Sequence, residues 1–137
     1  MSPWFSVAGD PIHVLELPAH YTYEELDAQM IHMGQEYRRF VRERPRAPCA
    51  ILVDLSKIAR SEARNRKRIA QMMEDLTDLM RPRVVAQAYV AHGSVIRAAL
   101  TAVMWIKSSP WPVQVFGTRA EAEAWLREKI ERRLTTG

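Results

Sequence analysis

The segment Cys49-Ala50-Ile51-Leu52-Val53-Asp54-Leu55 decides the fold, because it is an almost uninterrupted apolar run of strand length. Such a run is typical of a strand that is covered on both faces, as in the middle of a parallel sheet. Asp54, near the carboxyl end of the run, is its one acidic residue. We therefore predict that residues 49–55 form the central strand of a sheet.

A hairpin and a long helix are predicted on the amino-terminal side of this strand. Residues 4–8 and 12–17 have strand-like patterns on either side of a Gly-Asp-Pro turn. Thr22 and Glu25 then form the capping-box pattern that opens a helix, and Pro45 ends it. The apolar face of this helix comprises Leu26, Met30, Met33, Tyr37, Phe40 and the aliphatic stem of Arg44.

On the carboxyl-terminal side, helices alternate with strands. Pro82 stops the second helix, and another capping-box pattern at Thr118 and Glu121 opens the last one. The predicted elements are a helix, a strand, a third helix, a strand and a terminal helix, at residues 69–80, 84–91, 95–107, 113–116 and from 118 onward.

This alternation requires crossover connections between parallel strands. The sequence therefore predicts an α/β fold with a mixed, mostly parallel five-stranded sheet and about four helices. A chain of 137 residues has the size of one domain. We therefore expect a single domain over residues 1–137.

The composition favours a folded protein of a reducing compartment. Apolar residues make up 47% of the chain and charged residues 26%, which is ordinary for a globular protein. The amino terminus lacks the apolar run of a secretory signal, and the most apolar stretch, 95–106, is too short for a bilayer span. Since Cys49 is the single cysteine, no internal disulfide can form. We expect a cytoplasmic protein without a transmembrane segment.

The apolar strands and the carboxyl-terminal segment resemble those of a known family. The similarity rests on 51–55, on 84–91, and above all on Val115-Phe116-Gly117-Thr118 followed by Glu121-Ala122-Glu123-Ala124-Trp125-Leu126. This pattern resembles the STAS superfamily, in particular its SpoIIAA-like branch, which is grouped with Sec14-type lipid-binding domains. The similarity in element order covers roughly residues 4–132. It implies a non-enzymatic binding or regulatory module.

The chain departs from the family where anti-sigma-factor antagonists carry a phosphorylated serine. Those proteins have an Asp-Ser-Ser-Gly-like turn at this position, whereas residues 58–64 here read Ile-Ala-Arg-Ser-Glu-Ala-Arg. Ser61 is therefore interpreted first as a helix cap. The alternative is a phospho-regulated switch in the turn from Ser56 to Ser61, with a phosphate at the helix start near three arginines, Arg60, Arg64 and Arg68.

No pattern in the sequence indicates catalysis or a bound metal or cofactor. Neither a nucleophile beside a base nor a cluster of metal ligands is recognisable, and the five glycines are scattered. We expect no enzymatic activity, no metal and no cofactor. For Asp54 we favour a structural role, in which the carboxylate accepts backbone N–H groups of the following turn, over a ligand site at the strand end. The four histidines, at positions 13, 20, 32 and 92, are interpreted as structural.

Basic residues are concentrated between Arg38 and Arg68, where eleven Lys and Arg face three acidic residues. If these segments come together in space, they form one basic surface. The run at 60–68 contains no aromatic residue, so we take it as a solvated face or the site of an anion, and we expect no specific nucleic acid.

The predicted third helix has more apolar faces than one core contact can cover. Trp111 in the following turn extends this apolar surface, and such surfaces mark interfaces or ligand grooves. We therefore expect a protein partner, which includes a second copy in a homodimer, or an apolar small molecule or lipid at the 95–112 region. The alternative is burial of this helix by neighbouring elements alone. The residues expected at the contact are Val95, Ile96, Ala99, Leu100, Val103, Met104, Trp105 and Trp111.

Overall fold

Five strands form one mixed sheet in the computed structural model, which describes residues 2–7, 11–58, 62–93 and 109–136. Three helices pack on this sheet within the described part of the chain. In chain order the elements are β1 (Phe5–Ser6), β2 (Ile12–Glu16), α1 (Tyr23–Glu43), β3 (Cys49–Asp54), α2 (Ala63–Met80), β4 (Val84–Val90), β5 (Val113–Phe116) and α3 (Arg119–Thr136).

The strands lie side by side in chain order, with β3 in the middle. β1 pairs antiparallel with β2, whereas β2, β3, β4 and β5 are parallel to one another. All six residues of β3 are buried, as the apolar run predicts. The register places Glu16 of β2 beside Asp54 of β3 at their carboxyl ends. Two carboxylates are thereby brought to one edge of the sheet.

The helices cover both faces of the sheet. α1 connects β2 to β3 and α2 connects β3 to β4, and the two helices pack against each other. Two crossovers of the same hand between neighbouring strands place both helices on the same face. α3 packs on the opposite face, mainly on β4 and β3. β3 and β4 are therefore covered on both sides.

Two separate apolar cores result from this arrangement. Alternate residues of β3 point to opposite faces, so Ile51 and Val53 pack under α1 and α2 whereas Ala50 and Leu52 pack under α3. The first core also contains an aromatic cluster, in which the ring of His13 lies 4.7 Å from that of Phe40 and 5.5 Å from that of Tyr37. His13 is fully buried there, which agrees with the structural interpretation of this residue.

Both predicted capping sites are present. The Thr22 hydroxyl accepts the backbone N–H of Glu25, whose carboxylate accepts the N–H of Thr22, so the reciprocal capping box of α1 is complete. At α3 the Thr118 hydroxyl accepts the N–H of Glu121, but the Glu121 carboxylate contacts the same hydroxyl instead of the backbone. The predicted buried face of α1 is confirmed from Leu26 to Phe40, whereas Arg44 is exposed because it follows the last helical residue.

The predicted fold class is confirmed with one difference in the number of helices. The α/β class, the five strands and the mixed, mostly parallel sheet agree with the structure. The described residues contain three helices, whereas the sequence predicted about four. The predicted third helix, at 95–107, lies outside the described residues. No helix in the described ranges is long and apolar enough to cross a membrane.

The packing of α3 yields a prediction with an internal control. Leu126 is fully buried in the second core, whereas Leu134 on the same helix is 64% exposed. We expect Leu126→Ala to lower the free energy of unfolding by about 2–5 kcal/mol, because it removes buried methyl groups and leaves a cavity. Leu134→Ala should change it by less than about 0.5 kcal/mol. Urea denaturation followed by circular dichroism measures both, and equal losses would contradict the placement of α3.

Candidate functional site

Charged side chains from three elements meet at the carboxyl edge of the sheet. Glu16 ends β2, Asp54 ends β3, and Arg119 begins α3. The Arg119 guanidinium lies 3.5 Å from the carboxylate of Glu16 and 3.7 Å from that of Asp54. Lys57, in the turn after β3, binds Glu16 at 2.6 Å. We refer to Glu16, Asp54, Lys57 and Arg119 as the carboxyl-edge cluster.

The chain brings these residues together for simple geometric reasons. Parallel strands end at the same edge of a sheet, and the helix that runs back along the sheet begins at that edge. The first residue of α3 therefore faces the last residues of β2 and β3. The formal charges of the four residues sum to zero, and Arg119 also donates to Glu123, one turn further along α3, at 3.2 Å.

Asp54 has two kinds of partner. Its Oδ1 accepts the backbone N–H of Ser56 at 2.9 Å, which closes the turn after β3. Its Oδ2 faces the Arg119 guanidinium. The hydrogen bond to Ser56 is the one expected for a structural carboxylate, and the proximity of Arg119 adds a contact that was not predicted. A carboxylate that is only 8% exposed is thus satisfied on both oxygens.

Lys57 is held in its charged form. The hydrogen bond from its ammonium to Glu16, and then the charge of Glu16, raise the pKa of this lysine above its ordinary value. Lys57 is therefore positively charged around neutral pH. A ligand at this edge meets side chains of both signs.

An open cleft of about 770 Å³ adjoins the cluster. It lies on the part of β2 that α3 leaves uncovered, because α3 packs mainly on β4 and β3. Ile12 and Val14 lie in its floor on the same face as Glu16. The remaining lining residues are Ser2, Pro3, Trp4, Ser6, Pro18, Ala19, His20, Glu25, Lys57 and Arg119. The cleft thus combines an apolar floor with a charged rim.

Two of the three arginines expected to bind a phosphate, Arg64 and Arg68, are engaged with α1. Arg68 donates to Asp27 at 2.7 Å, and the guanidinium of Arg64 lies 3.7 Å over the ring of Tyr23. These contacts join the first turns of α1 and α2, which run in the same direction. α2 begins at Ala63 with Glu62 at the N-cap position, and the Glu62 side chain makes no capping hydrogen bond. Ser61 and Arg60 lie outside the described residues. Ser56 is partly exposed in the turn that Asp54 closes.

The apolar surface predicted at 95–112 falls mostly outside the described residues. This applies to Val95, Ile96, Ala99, Leu100, Val103, Met104 and Trp105. Trp111 is described, and the exposure expected for it is wrong, since it is 8% exposed and belongs to the first core. Its indole N–H donates to Gln87 Oε1 at 2.9 Å, and Gln87 in turn donates to the Tyr89 hydroxyl. Trp111 is buried because β4 offers it a matching acceptor.

This buried hydrogen bond predicts a specific loss of stability. We expect Gln87→Leu to lower the free energy of unfolding by about 1–3 kcal/mol, because the indole N–H is then buried without an acceptor. Trp111→Phe should cost a similar amount. If the two side chains act through this bond, the double variant should lose less than the sum of the single losses. Chemical denaturation measures all three variants, and strictly additive losses would refute the coupling.

The single cysteine is not available as a nucleophile. Cys49 is buried at the start of β3, and burial raises the pKa of its thiol to about 12, although Arg83 and Arg133 nearby oppose this shift. A thiol with such a pKa stays protonated, and the thiolate is the reactive form. Within the described ranges, no three His, Cys, Asp or Glu side chains are grouped closely enough to hold a metal ion.

The raised pKa of Cys49 predicts how stability changes with pH. Because the thiol pKa rises from 9.0 to about 12 on folding, the folded state holds this proton more tightly than the unfolded chain. The stabilisation is complete below about pH 9 and is lost as the pH rises toward 12, by at most about 1.4 kcal/mol per pH unit. Denaturation curves between pH 8 and pH 11 should therefore show a steeper decline for the native sequence than for Cys49→Ala. Parallel declines would contradict this account.

Of the four residues of the carboxyl-edge cluster, the sequence indicated Asp54 but not Glu16, Lys57 or Arg119. Asp54 was recognisable as the only acid in an apolar strand. Glu16 also ends a strand, but one alternating strand with a terminal acid gives no special signal. Arg119 lies in the second capping-box segment. Its position at the carboxyl edge of the sheet can be predicted only when the direction of α3 is known.

The chain was compared with known proteins. No protein-family model matches it, and no curated protein matches it either. It is similar to a solved structure, an uncharacterised protein of the DUF3478 family with a SpoIIAA-like fold from Shewanella loihica PV-4. The TM-score is 0.60 at 14% identity, over 89% of this chain and 90% of that chain. This likeness confirms the SpoIIAA-like fold, and at such low identity it concerns the fold alone.

Proposed function

We propose that this chain is a non-enzymatic binding module of the STAS and SpoIIAA-like type, whose cleft beside the carboxyl-edge cluster binds a small amphipathic molecule. The observation that carries the proposal is the cleft itself, with Ile12 and Val14 in its floor and Lys57 and Arg119 at its rim. Its volume of about 770 Å³ lies in the range of small-molecule sites. An apolar body would cover the floor while a charged group meets the rim.

The charges at the rim support binding over catalysis. A general acid or base needs a free path to the proton that it transfers. Glu16 and Asp54 are instead paired with Lys57 and Arg119, and Asp54 also closes a turn. The thiol of Cys49 is buried in the first core, away from this edge. The pairing of these groups at the rim thus supports a role in orienting a ligand.

A role of the 95–112 region in binding remains a prediction from its sequence. Trp111 anchors the carboxyl end of that region in the first core through Gln87. A phospho-switch at Ser56 to Ser61 has less support, because Arg64 and Arg68 are held by Tyr23 and Asp27.

Two probes with the same apolar chain test the cleft, namely decanoate and decyltrimethylammonium. We expect at least one of them to shift the backbone amide resonances of residues 12–20, Lys57 and Arg119 in ¹⁵N-correlated NMR spectra. Ala19→Trp should weaken binding at least about fivefold, because the new ring fills the cleft and about 1 kcal/mol corresponds to that ratio. Ala28→Trp is the matched control, since Ala28 is an exposed residue of α1 that does not line the cleft.

The comparison of the two head groups reports which sign of charge the rim prefers. Shifts centred on residues 109–116 would move the site to the 95–112 region and refute the cleft. An equal effect of Ala19→Trp and Ala28→Trp, or the absence of localised shifts with both probes, would also refute it.

A further inference from the structure

Arginines from three segments gather at the amino edge of the sheet, opposite the cleft. The segments are 42–47 at the end of α1 and just beyond it, 81–83 after α2, and 132–136 at the end of α3. Together they carry seven arginines and one acidic residue, Glu43, hence a formal charge of +6. The whole chain has a net charge of +4, so the rest of it sums to −2. The arginines of this edge are Arg42, Arg44, Arg46, Arg81, Arg83, Arg132 and Arg133.

Contacts within the fold show that the three segments are neighbours. The backbone N–H of Cys49 donates to the carbonyl of Arg83 at 2.9 Å, which joins the starts of β3 and β4. Arg133 reaches the carbonyl of Pro82, at 3.4 Å. Arg46 lies three residues before Cys49, so its Cα lies within about 11 Å of that residue. We call these three segments the arginine edge.

This juxtaposition differs from the one expected from the sequence. The basic stretch from Arg38 to Arg68 does not form one surface, because β3 separates its two halves. Arg64 and Arg68 lie at the carboxyl edge beside the first turns of α1, whereas Arg44 and Arg46 lie at the amino edge. The partners of Arg44 and Arg46 in space come from the carboxyl-terminal half of the chain.

Only some of the arginines of this edge contact helix carbonyls or acidic side chains. Cations are stabilised at helix carboxyl ends, and Arg83 donates to the carbonyl of Leu79. Arg132 pairs with Glu128. By contrast, the side chains of Arg42, Arg44, Arg46 and Arg81 are exposed and make no ion pair or hydrogen bond with any described residue. Four guanidinium groups therefore face solvent at this end.

We propose that the arginine edge binds the phosphate backbone of a double-stranded nucleic acid, without sequence specificity. Guanidinium groups bind phosphate oxygens with paired N–H donors, and a duplex carries one phosphate charge per about 1.7 Å of its axis. The three segments contain no aromatic residue on which single-stranded bases could stack. Leu134 is their one exposed large apolar side chain, whereas a surface that lies in a bilayer presents several. These features favour a duplex backbone over a single strand or a membrane.

Titration of a fluorescein-labelled 20-base-pair duplex of mixed sequence, as DNA and as RNA, tests the proposal by anisotropy. At low salt we expect saturable binding whose affinity falls steeply as salt rises, with little dependence on sequence. Arg44→Gln, Arg46→Gln and Arg81→Gln combined should weaken binding at least tenfold. The slope of log affinity against log salt should decrease by about 2–3, since each lost phosphate contact contributes about 0.9.

The matched control removes the same number of charges at the other end of α2, through Arg64→Gln, Arg66→Gln and Lys67→Gln combined. This variant should bind the duplex within about threefold of the native chain, and circular dichroism checks that both variants remain folded. Equal weakening by the two variants would show a mere effect of net charge and overturn the proposal. No anisotropy change at low salt would overturn it too, as would co-sedimentation with phosphatidylserine vesicles in the absence of duplex binding.

Discussion

Burial of β3 on both faces is the constraint on which the rest of the structure depends. A strand without a solvent face requires cover on each side, and here α1 and α2 supply it on one side and α3 on the other. Each crossover helix then runs antiparallel to the strands it connects. All three helices therefore begin at the carboxyl edge of the sheet and end at the amino edge. The two edges become chemically different before any particular side chain is considered.

The side chains follow this polarity. At the carboxyl edge, two strand-end carboxylates meet the first residue of α3 and the turn after β3, and the charges compensate one another over distances of 2.6–3.7 Å. At the amino edge, arginines at the ends of all three helices meet few acids. The carboxyl edge is thus suited to holding a ligand by shape and local polarity. The amino edge is suited to long-range attraction of a polyanion, which depends on net charge and less on shape.

Local patterns predicted most of the fold, and contacts between distant segments account for what they missed. The apolar run at 49–55 and the capping pair Thr22 and Glu25 are patterns of only a few neighbouring residues. The strand and the helix start that they predict are both present. The exposure of Trp111 was misjudged because its hydrogen-bond acceptor, Gln87, lies 24 residues away on a strand whose other residues are mostly apolar. A polar side chain inside such a strand indicates that it forms a hydrogen bond with another buried group. The partner can be identified only when the order of the strands in the sheet is known.

The same distinction separates the two surfaces of the molecule. Asp54 indicated a polar site at the carboxyl edge from the sequence alone, since a buried carboxylate in an apolar strand requires hydrogen-bond donors. The arginine edge has no such local signature, because its residues are spread over three segments with 33 and 48 residues between them. Arg46 and Arg68 were predicted to share one basic surface because they are close in the sequence. The buried strand β3 lies between them and carries the chain to the opposite edge of the sheet. In a parallel sheet, the connections that follow helices all lie at the amino edge. Charged residues in these connections are therefore neighbours in space, however far apart they are in the sequence.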